Sequence, residues 1–242
     1  MKYINLDNIK FNNVCFTGSS YGVIWNGKYK DKHAIIKMIT LTLGNHYDKD
    51  KDKYYDKNNN EIKYYNNVYN KKNIKPFIHN EFIKKRSIPL AAFKYELDQH
   101  KTLESISLSP IVYDYGISHT VDGFKYGFIV MEKWTTNIKD LLISRKINNN
   151  EEKIIMDTIN KLHESGYVHG DMKPNNMGVM LNNKLEIEKC CFFDCYTIKE
   201  TNNLSDEEKL KLINKDIFVY NHYKSKAEDT FSSNHHVGTL AH

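Results

Sequence analysis

Residues 169–176, which read HGDMKPNN, constrain the fold of this chain more than any other segment. They follow a stretch with helical spacing that ends near Gly166, and they precede an apolar stretch, residues 177–181, that is typical of a strand. Within eight residues they gather an imidazole, a carboxylate, an amine and an amide, on His169, Asp171, Lys173 and Asn176. A loop between a helix and a strand can direct several polar side chains to one point. The sequence therefore predicts a helix and a strand that hold a chemically active loop.

A further carboxylate follows the next predicted strand. Asp194 lies eighteen residues after Asn176 and ends the apolar segment 191–193, which can pair with residues 177–181 through a turn at Asn182-Asn183. Asn176 and Asp194 are then expected at adjacent strand ends. Phosphoryl transfer from ATP requires such groups, because magnesium ions take oxygen ligands and bridge the phosphates while another carboxylate orients the attacking hydroxyl.

The N-terminal part is predicted to be rich in strands. Residues 14–39 indicate β structure, with Gly18 and Gly22 in a polar turn, a second turn at Asn26-Gly27, and a short apolar strand at residues 33–39. Residues 45–75 are dominated by Lys, Asp, Asn and Tyr and have no sustained helical or strand period. We interpret this stretch as an insertion on the surface.

Helical spacing returns after Pro89, and residues 111–117 and 124–131 are typical of two paired strands. Beyond Trp134 the pattern favours helices at residues 137–144 and 150–164. The expected fold class is therefore α+β, with a β-rich N-terminal part that joins a helical C-terminal part near residues 132–134.

Composition argues against several classes of function. The net charge of +5 is spread along the chain and is balanced locally by acidic residues, so it does not indicate nucleic-acid binding. The four cysteines form no C-x-x-C pair of the kind that zinc or thiol-redox sites use, so reduced thiols are expected. The sequence has neither a signal peptide nor about 18 uninterrupted apolar residues, so we expect an intracellular, cytoplasmic protein with no membrane partner.

The loop and Asp194 together resemble the protein kinase superfamily, whose catalytic loop reads H-R-D-L-x-x-x-N and whose magnesium loop reads D-F-G. The resemblance implies that Asp171 accepts the proton of the substrate hydroxyl and that Lys173 steadies the transferring phosphate. It implies that Asn176 holds one Mg²⁺ and Asp194 the other. Lys37, in HAIIK, stands where the family has its V-A-I-K lysine and would contact the α- and β-phosphates of ATP.

The resemblance also assigns residues around the nucleotide. A buried ammonium needs a partner, and for Lys37 we expect Glu96, with Glu81 as the reserve. The hinge would be residues 131–134. The backbone of Glu132 and Trp134 would form hydrogen bonds with adenine, and Met131 would lie behind the adenine. In the phosphate-covering loop Thr17, Ser19 and Gly22 take the three glycine positions and Ile24 the valine position, so Gly18 and Ser19 would lie over the phosphates.

Three departures from the family pattern shape the expected function. Gly170 replaces the arginine of H-R-D, which argues against switching by phosphorylation of an activation loop. Cys195 and Tyr196 follow Asp194, giving D-C-Y in place of D-F-G. Only 48 residues follow Asp194, without an A-P-E motif, so the C-lobe is shortened and much of the peptide-docking floor is missing. Residues 215–223 resemble the central C-lobe helix, whose aspartate, here Asp216, would brace the catalytic loop.

The sequence therefore predicts one bilobal protein-kinase-like domain over residues 1–242, with an N-lobe at about 1–131, a hinge at 132–134 and a C-lobe at 135–242. It is similar to the compact RIO kinases, the vaccinia-related kinases and kinases of large DNA viruses, which would place it in the host cell cytoplasm. The expected activity is that of an ATP- and Mg²⁺-dependent serine/threonine protein kinase with a protein substrate. A regulatory pseudokinase and a small-molecule kinase remain as alternatives.

Overall fold

The structure is a computed structural model that describes residues 1–16, 22–41, 46–48, 53–55, 88–118 and 125–238. The chain divides into two compact units, one made of Met1–Asp98 and Ile111–Lys133 and the other of Gln99–Pro110 and Trp134–His242. Strands dominate the first unit and helices the second, so the α+β class is confirmed. The sequence placed residues 99–110 in the strand-rich part. They belong to the helical unit because Leu103 and Leu108 pack in its core.

The first unit is built on a five-stranded antiparallel sheet with strand order β1-β2-β3-β7-β6. Its strands and the short pair β4 and β5 are β1 (Ile9–Phe16), β2 (Gly22–Tyr29), β3 (Lys32–Leu41), β4 (His46–Asp48), β5 (Lys53–Tyr55), β6 (Val112–Ile117) and β7 (Lys125–Glu132). The expected strands at 111–117 and 124–131 are confirmed within the described part of the chain, which excludes Phe124. β4 and β5 pair with each other inside the expected insertion 45–75. The other residues of the insertion lie outside the described part.

The second turn of the N-terminal hairpin is displaced from its predicted place. β2 continues through Asn26-Gly27, and the chain reverses at Lys30 and Asp31, whose φ angles are 44° and 67°. Gly27 faces the carbonyl of Lys10 and the side chain of Ile36 so closely that a Cβ atom would overlap both. The glycine therefore serves close packing within a strand, and not the turn that an Asn-Gly pair usually indicates.

Alternation along β3 sends side chains to two different layers. Ala34, Ile36 and Met38 pack in one core cluster, whereas Ile39 and Leu41 pack in another. The second cluster includes Phe93 and Leu97 of helix α1 (Leu90–Ser105), which confirms the helix predicted after Pro89. The ring of Phe93 lies directly against Gly127 of β7, where a Cβ atom would clash with it. The odd-numbered residues of β3 thus face α1, and Lys37 is one of them.

In the described part of the chain, the second unit combines the C-terminal end of α1 and three further helices with short strands. The further helices and the strands are β8 (Thr136–Asn137), α2 (Ile138–Ser144), α3 (Asn149–Glu164), β9 (Tyr167–Val168), β10 (Met177–Leu181), β11 (Ile187–Phe192), β12 (Lys199–Glu200) and α4 (Asp206–Gly238). The sheets have strand orders β11-β10-β8 and β12-β9. The predicted helices at 137–144 and 150–164 are confirmed. The hairpin that begins at residue 177 also forms, but its second strand is Ile187–Phe192, which starts before the predicted segment 191–193, and its turn spans residues 182–186. Ile155, Ile159 and Leu162 of α3 are fully buried in the core, as their spacing indicates.

The start of α3 is fixed by a buried carboxylate. The Asn148 side chain accepts from the Glu151 N–H, and the Glu151 side chain accepts from the Asn148 N–H, which together form a capping box. The Glu151 carboxylate also accepts hydrogen bonds from two guanidinium nitrogens of Arg145, at 2.5 and 2.9 Å. It accepts a further one from the N–H of Ile187 in β11 at 2.9 Å. Its side chain is only 2% exposed. Glu151 therefore joins the start of α3 to the β10–β11 hairpin.

Glu151→Gln is expected to destabilise the protein strongly at neutral pH and less in acid. The hydrogen bonds from Arg145 lower the pKa of Glu151 to about 2 from its usual 4.5. The stabilisation is therefore complete above about pH 4.5 and is lost as pH falls toward 2, and it amounts to about 3 kcal/mol. Denaturant titrations at pH 7 and pH 3 should show a large gap between variant and wild type that narrows in acid. Glu164→Gln, an exposed control in α3, should leave both stabilities unchanged.

Cys190, Cys191 and Cys195 are free and buried, as expected for reduced thiols, and burial raises the pKa of Cys190 to about 12. In the part of the chain that the structure describes, none of the helices combines the length and the apolar character needed to cross a membrane.

Candidate active site

The loop at residues 169–176 lies between β9 and β10 in the second unit. It ends in a 3-10 turn, Pro174–Asn176, that leads directly into Met177. Pro174 fits the first position of this turn, where its fixed φ is favourable and an N–H is not needed. Lys173 before it is extended, with φ −93° and ψ 149°, as the residue preceding a proline prefers. The sequence itself therefore specifies a sharp change of direction between Asp171 and Asn176.

Asp171, Lys173 and Asn176 contact one another. The Lys173 ammonium lies 2.8 Å from Asp171 Oδ1. The Asn176 amide Nδ2 donates to the Asp171 backbone carbonyl at 2.9 Å and to its Oδ2 at 3.2 Å. The hydrogen bond to Asp171 raises the pKa of Lys173, so this amine is charged at neutral pH. About a third of the Asp171 and Lys173 side chains is exposed, which leaves room for a reactant at the carboxylate.

The buried side chain of His169 supports the backbone of the loop. It is fully buried, and this burial lowers the pKa of its imidazole, so the ring is neutral at pH 7. Nδ1 accepts from the Asp171 N–H at 3.4 Å, and Nε2 donates to the Phe193 carbonyl at 3.2 Å. Only the tautomer with its proton on Nε2 satisfies both contacts. His169 is thus a positioning residue that links the Asp171 backbone to the end of β11.

Asp216 braces the loop in the way the sequence predicted. Its side chain, 1% exposed, accepts from the His169 N–H at 2.6 Å and from the Gly170 N–H at 2.8 Å. Its Oδ2 also lies 3.3 Å from Nε2 of the buried His163. Two of these contacts fix the backbone of the loop to helix α4, and the third reaches a side chain of α3. This contact confirms the role assigned to Asp216.

Gly170 is required by the local backbone. Its φ is +79°, a left-handed conformation that favours glycine, and an added Cβ would lie 2.8 Å from the Thr197 carbonyl. The protein kinase motif that the sequence resembles carries arginine at this position. The loop in this chain therefore approaches residue 197 too closely for a side chain, which gives a structural reason for the departure.

Asp194 follows β11 at the same end of the hairpin where Asn176 precedes β10. The register pairs Met177 with Phe192, and the Phe193 N–H donates to the Asn176 carbonyl at 2.7 Å. The predicted meeting of two strand ends is therefore confirmed. Asp194 is exposed and adopts φ 53° and ψ 58°, a left-handed conformation that costs a non-glycine residue about 1 kcal/mol or more. The same conformation occurs at the turn of Lys30 and Asp31, and at Asp194 it accompanies the sharp turn that follows β11.

Cys195 and His100 form a contact that the sequence analysis missed. Cys195 is fully buried, and its Sγ lies 3.4 Å from Nδ1 of His100 in α1, which also lies 2.9 Å from Ser109 Oγ. His100 stands three residues from both Leu97 and Leu103, the predicted buried positions of α1, so its burial could have been inferred from that stripe. Cys195 thus anchors the chain immediately after Asp194 in the core.

In the first unit, Lys37 binds Glu96, the predicted partner. The Lys37 ammonium contacts Glu96 Oε1, and both side chains are about 95% buried or more. Ile24 pairs with Lys37 across β2 and β3 and so lies on the same face of the sheet, while Gly22 pairs with Ile39. Gly22 passes so near the Met38 carbonyl that a Cβ would lie 2.7 Å from it. Thr17, Gly18, Ser19 and the reserve partner Glu81 lie outside the described residues.

The predicted hinge residues divide between the two units. Met131 is buried at the end of β7, and the Glu132 N–H donates to the Ile111 carbonyl at 2.8 Å. The Glu132 N–H is therefore already used in a hydrogen bond within the protein. Of the backbone groups of Glu132, only the carbonyl remains for the predicted hydrogen bond to adenine. Trp134 belongs to the second unit and is 8% exposed, and among the described residues its indole Nε1 has no hydrogen-bond partner. A buried donor of this kind is suited to an acceptor group on a ligand.

The oxygen atoms at the two strand ends suit magnesium. Among the described residues no three or more His, Cys, Asp or Glu side chains form a metal-binding group. Magnesium in nucleotide enzymes uses one or two carboxylates together with substrate phosphates, so a complete protein cage is not required. Asn176 Oδ1 accepts one bond, from Asn175 Nδ2 at 3.2 Å, and a carbonyl oxygen can accept a second. Asn176 and the exposed Asp194 therefore fit the ligands of such an ion.

Comparison of the sequence with protein-family models gives no match, and comparison with curated proteins gives none either. The functional assignment therefore depends on the contacts described above.

Proposed function

We propose that this chain is an ATP- and Mg²⁺-dependent phosphotransferase with a bilobal protein-kinase-like fold and a shortened C-lobe, acting on serine or threonine hydroxyls. The observation that carries the proposal is the loop at residues 169–176. Its carboxylate, amine and amide contact one another, a buried aspartate fixes its backbone, and a second exposed carboxylate follows the neighbouring strand end.

Asp171 is assigned the role of general base. Its carboxylate is a third exposed and is held by the amide of Asn176, so it can accept a hydrogen bond from an incoming hydroxyl and take its proton as the oxygen attacks phosphorus. The new oxygen–phosphorus bond forms as the bond to the leaving ADP oxygen breaks. Proton removal by one positioned side chain accelerates such reactions by about 10²- to 10⁴-fold.

Lys173 is assigned to the transferred phosphate. Its ammonium lies beside Asp171 and is charged at neutral pH, so it can offset the negative charge on the equatorial oxygens of the phosphoryl group in the transition state. In the first unit Lys37 is assigned to the α- and β-phosphates, with Glu96 holding its ammonium in place. Asn176 and Asp194 would hold Mg²⁺, which when bound supplies positive charge that neutralises the phosphates.

One observation favours the small-molecule alternative. Only five residues, Thr201 to Ser205, connect β12 to helix α4. A chain this short cannot form the long activation segment on which protein kinases support an extended peptide. The acceptor must then be recognised by other surfaces, or it must be small.

The deciding experiment is a phosphate-transfer assay on the full chain. The protein is incubated with γ-labelled ATP and Mg²⁺ in the presence of generic serine- and threonine-containing proteins or a panel of small metabolites, and nucleotide binding is measured in parallel. Label on protein hydroxyls is the expected result. Label on a metabolite alone would establish a small-molecule kinase, and nucleotide binding without transfer would establish a pseudokinase. Absence of both binding and transfer would overturn the proposal.

A further inference from the structure

Helix α4 presents an aromatic side chain beside the loop. Tyr223 lies seven residues after Asp216, which is two helical turns, so both residues point to the same side of the helix. The Lys173 ammonium, which contacts Asp171, lies 5.5 Å from the centre of the Tyr223 ring. Tyr223 is 39% exposed. A solvent-accessible ring is thus separated from the proposed base by a single side chain.

A second ammonium lies on the same ring. Lys226 is exposed, and its Nζ lies 5.5 Å from the centre of the Tyr223 ring. Among the residues that the structure describes, Lys226 forms no ion pair. Lys224, two positions earlier, lies 2.8 Å from Glu152 and 3.8 Å from Glu228, so its charge is compensated. The uncompensated positive charge on this part of α4 is therefore that of Lys226.

The aromatic surface extends along the helix. Phe218 is 69% exposed and stacks on His222, with ring centres 6.1 Å apart, and His222 contacts Tyr223 edge to face at 5.2 Å. Exposed rings beside an uncompensated cation are a suitable surface for a partner that has both apolar and anionic groups. On an ordinary solvent-exposed helix face, lysines are expected to lie near acidic residues, as Lys224 does. Lys226 differs from this pattern.

Proximity to Asp171 gives this surface a role in the reaction. A hydroxyl that Asp171 deprotonates must lie within about 3 Å of the carboxylate. The groups next to that hydroxyl in the acceptor then come within reach of Tyr223 and Lys226. Because five residues join β12 to α4, no long segment intervenes in the sequence to supply an alternative platform.

We propose that Tyr223 and Lys226 form an acceptor subsite, and that the acceptor is a peptide with a carboxylate or phosphate group close to the serine or threonine that is phosphorylated. This inference rests on the proposed phosphotransferase function. The Lys226 ammonium binds the anionic group, and the Tyr223 ring packs against the adjoining aliphatic part of the peptide. Neither residue touches the reacting atoms, so both determine specificity and not the chemical step.

The test compares matched peptides that differ at the residues flanking one serine, with Glu, phosphoserine, Gln or Lys there. The wild-type chain should use the Glu and phosphoserine peptides with a kcat/KM about threefold above that for the Gln peptide. Lys226→Glu should lower kcat/KM for the acidic peptides about tenfold, mainly through KM, and should favour the Lys peptide. The ratio of Glu to phosphoserine peptide identifies which anion is preferred.

Controls separate specificity from damage to the fold. Lys211→Glu makes the same charge change at an exposed position of α4 and should leave the peptide preference unchanged. Tyr223→Phe, which keeps the ring, should retain the preference that Tyr223→Ala weakens. Equal use of acidic and neutral peptides by the wild-type chain, or an unchanged preference in Lys226→Glu, would overturn the subsite while leaving the phosphotransferase intact. Absence of transfer to every peptide and protein would overturn the proposed function and the subsite with it.

Discussion

Asp171→Asn is expected to reduce the rate of phosphate transfer by about a thousandfold or more while leaving nucleotide binding and folding intact. The amide has the shape of the carboxylate and can still accept the hydrogen bond that Asn176 Nδ2 gives to Asp171 Oδ2. It cannot take a proton from the acceptor hydroxyl. The contact with Lys173 becomes weaker, but it is a partly exposed ion pair and contributes little to stability.

Single-turnover transfer with saturating ATP measures this effect on the chemical step, and titration calorimetry with a nucleotide measures binding. Asp157→Asn, an exposed substitution of the same kind in α3, provides the control and should behave as the wild type in both assays. A transfer rate within tenfold of the wild-type rate in Asp171→Asn would show that another group removes the proton, and Asp171 would then lose the role of base.

The loop was predictable because its determinants are close together in the sequence. The proline at 174 and the glycine at 170 fix the backbone locally, so the spacing of Asp171, Lys173 and Asn176 translates directly into contact. The apolar segments on either side of Asn182-Asn183 also form a local hairpin, which brings Asp194 to the same end as Asn176.

Features that depend on distant parts of the chain were not predictable in this way. Asn26-Gly27 carries the pattern of a hairpin turn, but Gly27 is demanded by its neighbours Lys10 and Ile36 on the two adjoining strands. The contact between His100 and Cys195 joins residues 95 positions apart. No spacing rule relates such residues, because only the packed core decides that they meet.

The contact between Lys37 and Glu96 was partly predictable from the sequence. A lysine in an apolar strand requires a partner because an isolated buried ammonium is costly, so the need for an acid was evident from β3 alone. Which acid supplies it depends on how α1 packs against the sheet. Phe93 and Leu97 bury that side of the helix, and Glu96 lies between them on the face that contains Lys37.

Breaking the Lys37–Glu96 pair is expected to cost about 3–5 kcal/mol of folding stability, because either single change leaves an uncompensated charge in the core. Lys37→Met should show this loss, and so should Glu96→Leu. The double variant should recover most of it, since two apolar side chains of similar volume replace two buried charges.

Denaturant unfolding of the wild type, both single variants and the double variant completes the double-mutant cycle and gives the coupling free energy between Lys37 and Glu96. Lys94→Met, at an exposed position of α1, serves as the control and should change stability by less than about 0.5 kcal/mol.

Nucleotide binding separates the structural contribution of this pair from its proposed contribution to function. If Lys37 contacts the phosphates, the double variant should fold well and yet bind ATP at least about tenfold more weakly than the wild type, because it lacks the ammonium. Glu96→Gln retains a hydrogen-bond acceptor for Lys37 and should weaken ATP binding less than Lys37→Met does. A folded double variant with wild-type affinity for ATP would restrict the pair to stabilising the contact between α1 and β3, and it would remove Lys37 from the nucleotide site.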